Sequence, residues 1–211
     1  NYLENSFNYS RSANNYFLSV DASIFETLNE TYNDKYEYIL PEILYDKNLY
    51  QKDNLGILDL QTNLKISNYD TNKTSKILIN DFDWSSKDYS FKNGISGKII
   101  GKLKNVNFEK KNIENFKHSV TNELHGAIGY LSKLELIKDT GSNKQNLLTP
   151  KFLLRYAPGS MRKEEDGSKL TPDRAFSIDR SDQTYNLEKG LSATIGFDFE
   201  IKEEDKNFEF S

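Results

Sequence analysis

From Leu191 to Lys202 every odd position is apolar and every even position is small, polar or charged. Successive side chains of a β-strand point to opposite faces, so this period of two describes a ribbon with one greasy side and one wet side. The pattern recurs along nearly the whole chain. Tyr16, Leu18, Val20, Ala22 and Ile24 oppose Ser19, Asp21 and Ser23, with Phe17 and Phe25 as exceptions; Leu58, Leu60, Leu64 and Ile66 oppose Asp59, Gln61, Asn63, Lys65 and Ser67. Ile95, Gly97, Ile99, Gly101 and Leu103 oppose Ser96, Lys98, Lys102 and Lys104, with Ile100 out of pattern. Asn-, Asp- and Gly-rich stretches at 29–34, 68–73, 139–143 and 163–168 separate the ribbons, and these residues suit hairpin turns. The pattern predicts an all-β fold: an antiparallel meander of roughly ten long strands, in a single domain over residues 1–211.

Runs of about 9–12 residues exceed the roughly 5–6 usual in a soluble sandwich and match the length of a tilted strand crossing a bilayer. No run of apolar letters exceeds three residues, as at Phe152-Leu153-Leu154, so a membrane helix, which needs about 20, is excluded while membrane strands are not. Aromatics cluster near the ends of several runs: Tyr36, Tyr38, Tyr45 and Tyr50, then Trp84, Tyr89 and Phe91, then Tyr156 and Phe176. In an outer-membrane barrel such rings form the interfacial girdles. The 28 Lys and Arg against 32 Asp and Glu leave a net charge of −4, which argues against a nucleic-acid partner. With no Cys there is no disulfide framework and no thiolate chemistry.

The sequence offers little for catalysis or metal binding, and no catalytic, cofactor or metal residues are expected. His118 and His125 flank Glu123, but opposite parity sends the two histidines to opposite faces, and Glu123 with His125 makes only half a zinc site. Asp198 and Glu200 share a face, yet neighbouring carboxylates on a wet barrel wall explain them without a glycosidase pair. Gly94-Ile95-Ser96-Gly97-Lys98 lacks the spacing of a phosphate-binding loop. Residues 92–117 carry seven lysines against Glu109 and Glu114, a basic stretch suited to an anionic headgroup or to plain solvent exposure.

Tyr38-Ile39-Leu40-Pro41-Glu42, Leu58 to Thr62, Leu78 to Trp84 and, above all, Leu147-Leu148-Thr149-Pro150-Lys151-Phe152-Leu153-Leu154-Arg155-Tyr156-Ala157-Pro158-Gly159-Ser160-Met161-Arg162 form a collinear set of segments. In that order they resemble the barrel region of the lipopolysaccharide-assembly (LptD) family in its alphaproteobacterial form. Phe176 to Arg180 and Asn186 to Ile201 continue the likeness. The resemblance implies a Gram-negative cell outer-membrane barrel that receives lipopolysaccharide from an LptA-like periplasmic bridge through a jellyroll domain. It implies insertion of that lipid into the outer leaflet, with an LptE-like lipoprotein as plug and no bond made or broken in the cargo. The final Asn207-Phe208-Glu209-Phe210-Ser211 reads as a strand cut short, so a partial barrel with two unpaired edges, an open curved sheet, is expected.

In such a barrel Leu191, Ala193, Ile195, Phe197, Phe199 and Ile201 would face outer-membrane lipid. Ser192, Thr194, Asp198, Glu200 and Lys202 would line a hydrated lumen, with Lys98, Lys102 and Lys104. Two alternatives stay open: a porin or receptor barrel, and a soluble periplasmic β-sandwich binding module. A β-sandwich covers its apolar face with a second sheet, whereas a barrel leaves it to lipid.

Overall fold

The computed structural model describes residues 2–28, 36–69, 73–113, 119–139, 145–160, 171–181, 185–203 and 206–210. Among them are twelve strands: β1 (Tyr2–Ala13), β2 (Tyr16–Thr27), β3 (Tyr36–Lys52), β4 (Gly56–Tyr69), β5 (Lys73–Ser85), β6 (Tyr89–Ser90), β7 (Ile95–Lys111), β8 (Thr121–Leu134), β9 (Leu136–Asp139), β10 (Gln145–Ala157), β11 (Gly190–Glu203) and β12 (Lys206–Phe210). No α-helix occurs among the described residues, only a 3₁₀ turn at Pro172–Arg174. The strands form one antiparallel meander in which ten follow in chain order from β1 to β12, while β6 adds to β7 and β9 to β10. No pairing joins β1 to β12 among the described residues, so the sheet is not closed. The expected all-β meander is therefore the observed fold. Its contacts divide into two compact units: Asn1–Gln51, Leu58–Asp83 and Leu103–Leu124 in the first, and Lys52–Ile57, Trp84–Lys102 and His125–Ser211 in the second.

In the first unit β1 and β2 pair over twelve registered positions around the turn Asn14–Asn15, placing Tyr9 beside Val20 and Phe7 beside Ala22 on one face, and Asn8 beside Asp21 on the other. Between β2 and β3 the register slips. Asp21 faces Glu42 but Ser23 faces Ile39, so β3 carries one extra residue, with Pro41, which has no N–H for the ladder, inside the bulge. An extra residue reverses parity, and here it brings Tyr38 (beside Ile24) onto the same face as Ile43 (beside Val20). On β5 and β7 the buried side holds Ile77, Ile79, Val106 and Phe108, and Lys104 reaches Asp81 at 3.6 Å.

In the second unit β10 and β11 pair from Gln145–Lys202 to Ala157–Gly190. Leu148 faces Phe199, Pro150 Phe197, Phe152 Ile195, Leu154 Ala193 and Tyr156 Leu191, an unbroken row of apolar pairs on one face. β8 and β9 are one strand interrupted where Pro150 has no N–H to give: Lys151 faces Lys133 and Leu148 faces Leu136, so no residue is gained or lost across the gap.

Candidate functional site

Between β10 and β11, residues 171–181 and 185–189 form a strap over the polar face of the second unit. Small side chains make room for it. A Cβ on Gly129 would lie 3.2 Å from Ile178 Cδ1, and one on Gly196 would lie 2.9 Å from the Phe176 ring. Ala127 and Ala157 form a buried cluster with Leu187, flanked by Ile178, and Leu187 is fully buried. The Lys151 ammonium stands 5.7 Å from the centre of the Phe176 ring, a cation–π contact.

Two guanidinium groups and one carboxylate fasten the strap. Arg155, on β10, is only 1% exposed; its Nε donates to the Ile178 carbonyl and its Nη2 to the Glu188 carbonyl, each at 2.5 Å. Its Nη1 is buried with no hydrogen-bond partner and lies 4.0 Å from Glu188 Oε2. Arg180 binds the same carboxylate as a fork, Nε to Oε2 at 2.8 Å and Nη2 to Oε1, and its Nη1 donates to Thr194 Oγ1 at 3.2 Å. A forked pair fixes geometry as well as charge, and losing one partner would strand the other buried ion. Burial first, and then the nearby charge of Arg155, push the Lys189 ammonium below its ordinary value. At the other end of the strap, hydrogen bonding to Thr171 holds the Asp173 carboxyl below the usual range.

No protein-family model matches the sequence, and no curated protein matches it.

Among the residues singled out from sequence, Leu191, Ala193, Ile195 and Phe197 are exposed on the apolar side of β11, Ile195 at 82%, while Phe199 and Ile201 are half-buried. Ser192, Thr194, Asp198 and Glu200 are half-buried on the opposite side, and Lys202 is exposed. Asp198 and Glu200 do not act as a pair: Lys151 takes Asp198, and Lys202 takes Glu200 at 3.5 Å. Lys98 and Lys102 are half-buried and Lys104 is buried against Asp81. His125 is buried, His118 lies outside the described residues, and no group of three metal-ligating side chains occurs among those described. Phe176, expected with the outer aromatics, instead packs over Gly196 within the strap, because it sits between strands rather than on one.

Arg155, Arg180 and Glu188 were not legible as a site. The signal nearest to one is parity: Arg155 occupies the same face as Leu153 and Ala157, a charge where an apolar side chain would otherwise be buried. In the first unit a cavity of about 520 Å³ on the polar side is lined by Phe17, Asp46, Asn48, Asp59, Gln61 and Asp83, among others. Asn48 already bonds Asp59 there at 2.8 Å.

Proposed function

We propose that this chain is part of an outer-membrane β-barrel of the lipopolysaccharide-assembly kind, and that it passes lipopolysaccharide to the outer leaflet of a Gram-negative cell. One observation carries the membrane half of the reading. β7 is seventeen residues long, and on its odd-numbered face Ile95, Gly97, Ile99, Gly101 and Leu103 are followed by Asn105, Asn107 and Glu109. At about 3.3 Å per residue the apolar stretch runs about 26 Å along the strand, which at a barrel tilt of about 40° covers about 20 Å of the roughly 25 Å lipid-facing band, and the strand then continues with polar residues. In the apolar row of β10 and β11, Leu154, Tyr156, Leu191, Ala193, Ile195 and Phe197 are exposed, with no second sheet over them among the described residues, which favours a barrel wall over a sandwich. Each large side chain left in water forfeits about 1.5–3 kcal/mol relative to full burial, so a face of this size calls for lipid.

The lipopolysaccharide half rests on the collinear segment resemblance. A closed barrel satisfies its backbone N–H and C=O groups between strands, which is how a sheet enters hydrocarbon, and the remaining strands of the barrel would pair the β1 and β12 edges. The polar side, with Lys98, Lys102, Asp198 and the strap, then offers a sugar-phosphate headgroup a wet route, while an LptE-like plug and an LptA-like bridge act at the barrel's interior and periplasmic end. The chain does no covalent chemistry in this reading.

The test is membrane fractionation of the full-length protein together with its depletion and an assay of surface lipopolysaccharide. Outer-membrane residence with loss of surface lipopolysaccharide is expected. Residence with normal surface lipopolysaccharide would leave a porin or receptor, and a soluble protein would return the chain to the β-sandwich class.

A further inference from the structure

Two cations of the second unit meet at one carboxylate, that of Glu188. Arg155 and Arg180 both approach the Glu188 carboxylate, yet only Arg180 bonds it, while Arg155 Nη1 stays buried without a hydrogen-bond partner 4.0 Å from Oε2. A guanidinium N–H left without an acceptor in a buried place costs free energy that a larger anion would recover. A phosphate group carries more charge than a carboxylate and more acceptor oxygens, enough for the Arg180 fork and for Arg155 Nη1 at once. Asp179 also acts on Arg155 as an opposite charge and accepts from Ser181 Oγ at 3.0 Å, while burial first, and then the charge of Arg155, lowers the Lys189 ammonium.

We propose that Arg155 and Arg180 form a binding site for a phosphate group, that the Glu188 carboxylate occupies it in the resting chain, and that a phosphorylated ligand displaces Glu188 and frees the arm from Asn186 to Lys189. The site stands on these contacts. That its ligand is the phosphorylated sugar of a glycolipid rests on the translocation reading above.

The experiment titrates inorganic pyrophosphate into the full-length protein folded in detergent micelles, followed by phosphorus NMR. Wild type binds weakly because Glu188 competes. Glu188→Gln removes the competing charge and should tighten binding about tenfold, a shift of about 1.4 kcal/mol; Arg180→Gln should abolish it. A mere structural fastener predicts the opposite for Glu188→Gln, no gain in affinity, and that result overturns the site, as does pyrophosphate binding that survives Arg180→Gln. Should the variants not fold, the unmodified protein still decides. Pyrophosphate should speed cleavage by a lysine-specific protease after Lys189, and sodium chloride at equal ionic strength should not; equal rates in both salts reject displacement.

Repeating the titration with micelles of a bisphosphorylated glycolipid and of its dephosphorylated form separates the sources. Release by pyrophosphate and glycolipid alike supports a general phosphate site, release by the phosphorylated glycolipid alone supports a headgroup site, and release by the dephosphorylated form rejects the phosphate chemistry. A soluble parent protein that still binds pyrophosphate would sink the membrane reading and keep this site. An outer-membrane parent indifferent to phosphate would do the reverse.

Discussion

Phe197 and Asp198 are neighbours in sequence and opposites in surroundings: the ring is 59% exposed on the apolar side of β11, and the carboxylate is half-buried against Lys151. If lipid covers that apolar side, Phe197→Arg should cost about 2–4 kcal/mol near the bilayer midplane. Asp198→Asn breaks one solvent-accessible ion pair and should cost at most about 1 kcal/mol. A refolding titration of the full-length protein into lipid checks both, and similar losses for the two would refute the assignment of faces. Lys189 supplies a pH test. Its folded value lies below its ordinary one, so the folded chain pays a penalty that is full below the folded value and fades as pH rises toward the ordinary value of 10.5. Stability should therefore rise with pH in that alkaline window. Lys189→Gln should be more stable than wild type at neutral pH and should lack the rise, as urea titrations at neutral and alkaline pH would reveal.

Among elements, the strap owes its seat to what β8 and β11 lack. Gly196→Leu would drive a side chain into the Phe176 ring, and Leu187→Ala would empty a fully buried position at a cost of about 2–5 kcal/mol. Both should speed tryptic cleavage within the strap while leaving the β10–β11 ladder protected from amide exchange; loss of protection in the ladder as well would make the strap part of the sheet's own core. The strands were largely legible because a period of two repeats locally. Their exceptions were not. Ile100, out of pattern in β7, approaches the space that a side chain on Gly129 would take, at 3.3 Å, and Phe25 in β2 packs edge-on against Tyr2 at 6.0 Å. Both of these answer to a residue on another strand, which no window along one strand contains. The bulge at Pro41 is similar: proline announces a break in the ladder, but only the pairing with β2 reveals the extra residue and the parity it restores.

At the scale of the molecule, the membrane reading predicts where the one tryptophan lies. Trp84 is half-buried, its ring 3.6 Å from the space a side chain on Gly101 would fill on the apolar stretch of β7, and its Nε1 donates to the Leu55 carbonyl at 2.9 Å. An indole with one bonded polar atom and an apolar body suits the lipid interface. In a full-length protein with other tryptophans replaced, lipids brominated along their acyl chains should quench Trp84 strongly, and a water-soluble quencher should do so weakly; the reverse order would place this face in water. The alternation of Leu191 to Lys202 and its fellows determined by itself that the chain is a meander of long strands with chemically distinct faces, since strand geometry turns a local period directly into two sides. Only the tertiary structure decided what lies on the polar side. The strap joins Arg155 to Glu188, thirty-three positions apart, across residues whose spacing carries no period, and the fit of Ile178 and Phe176 over glycines depends on strands brought together by pairing.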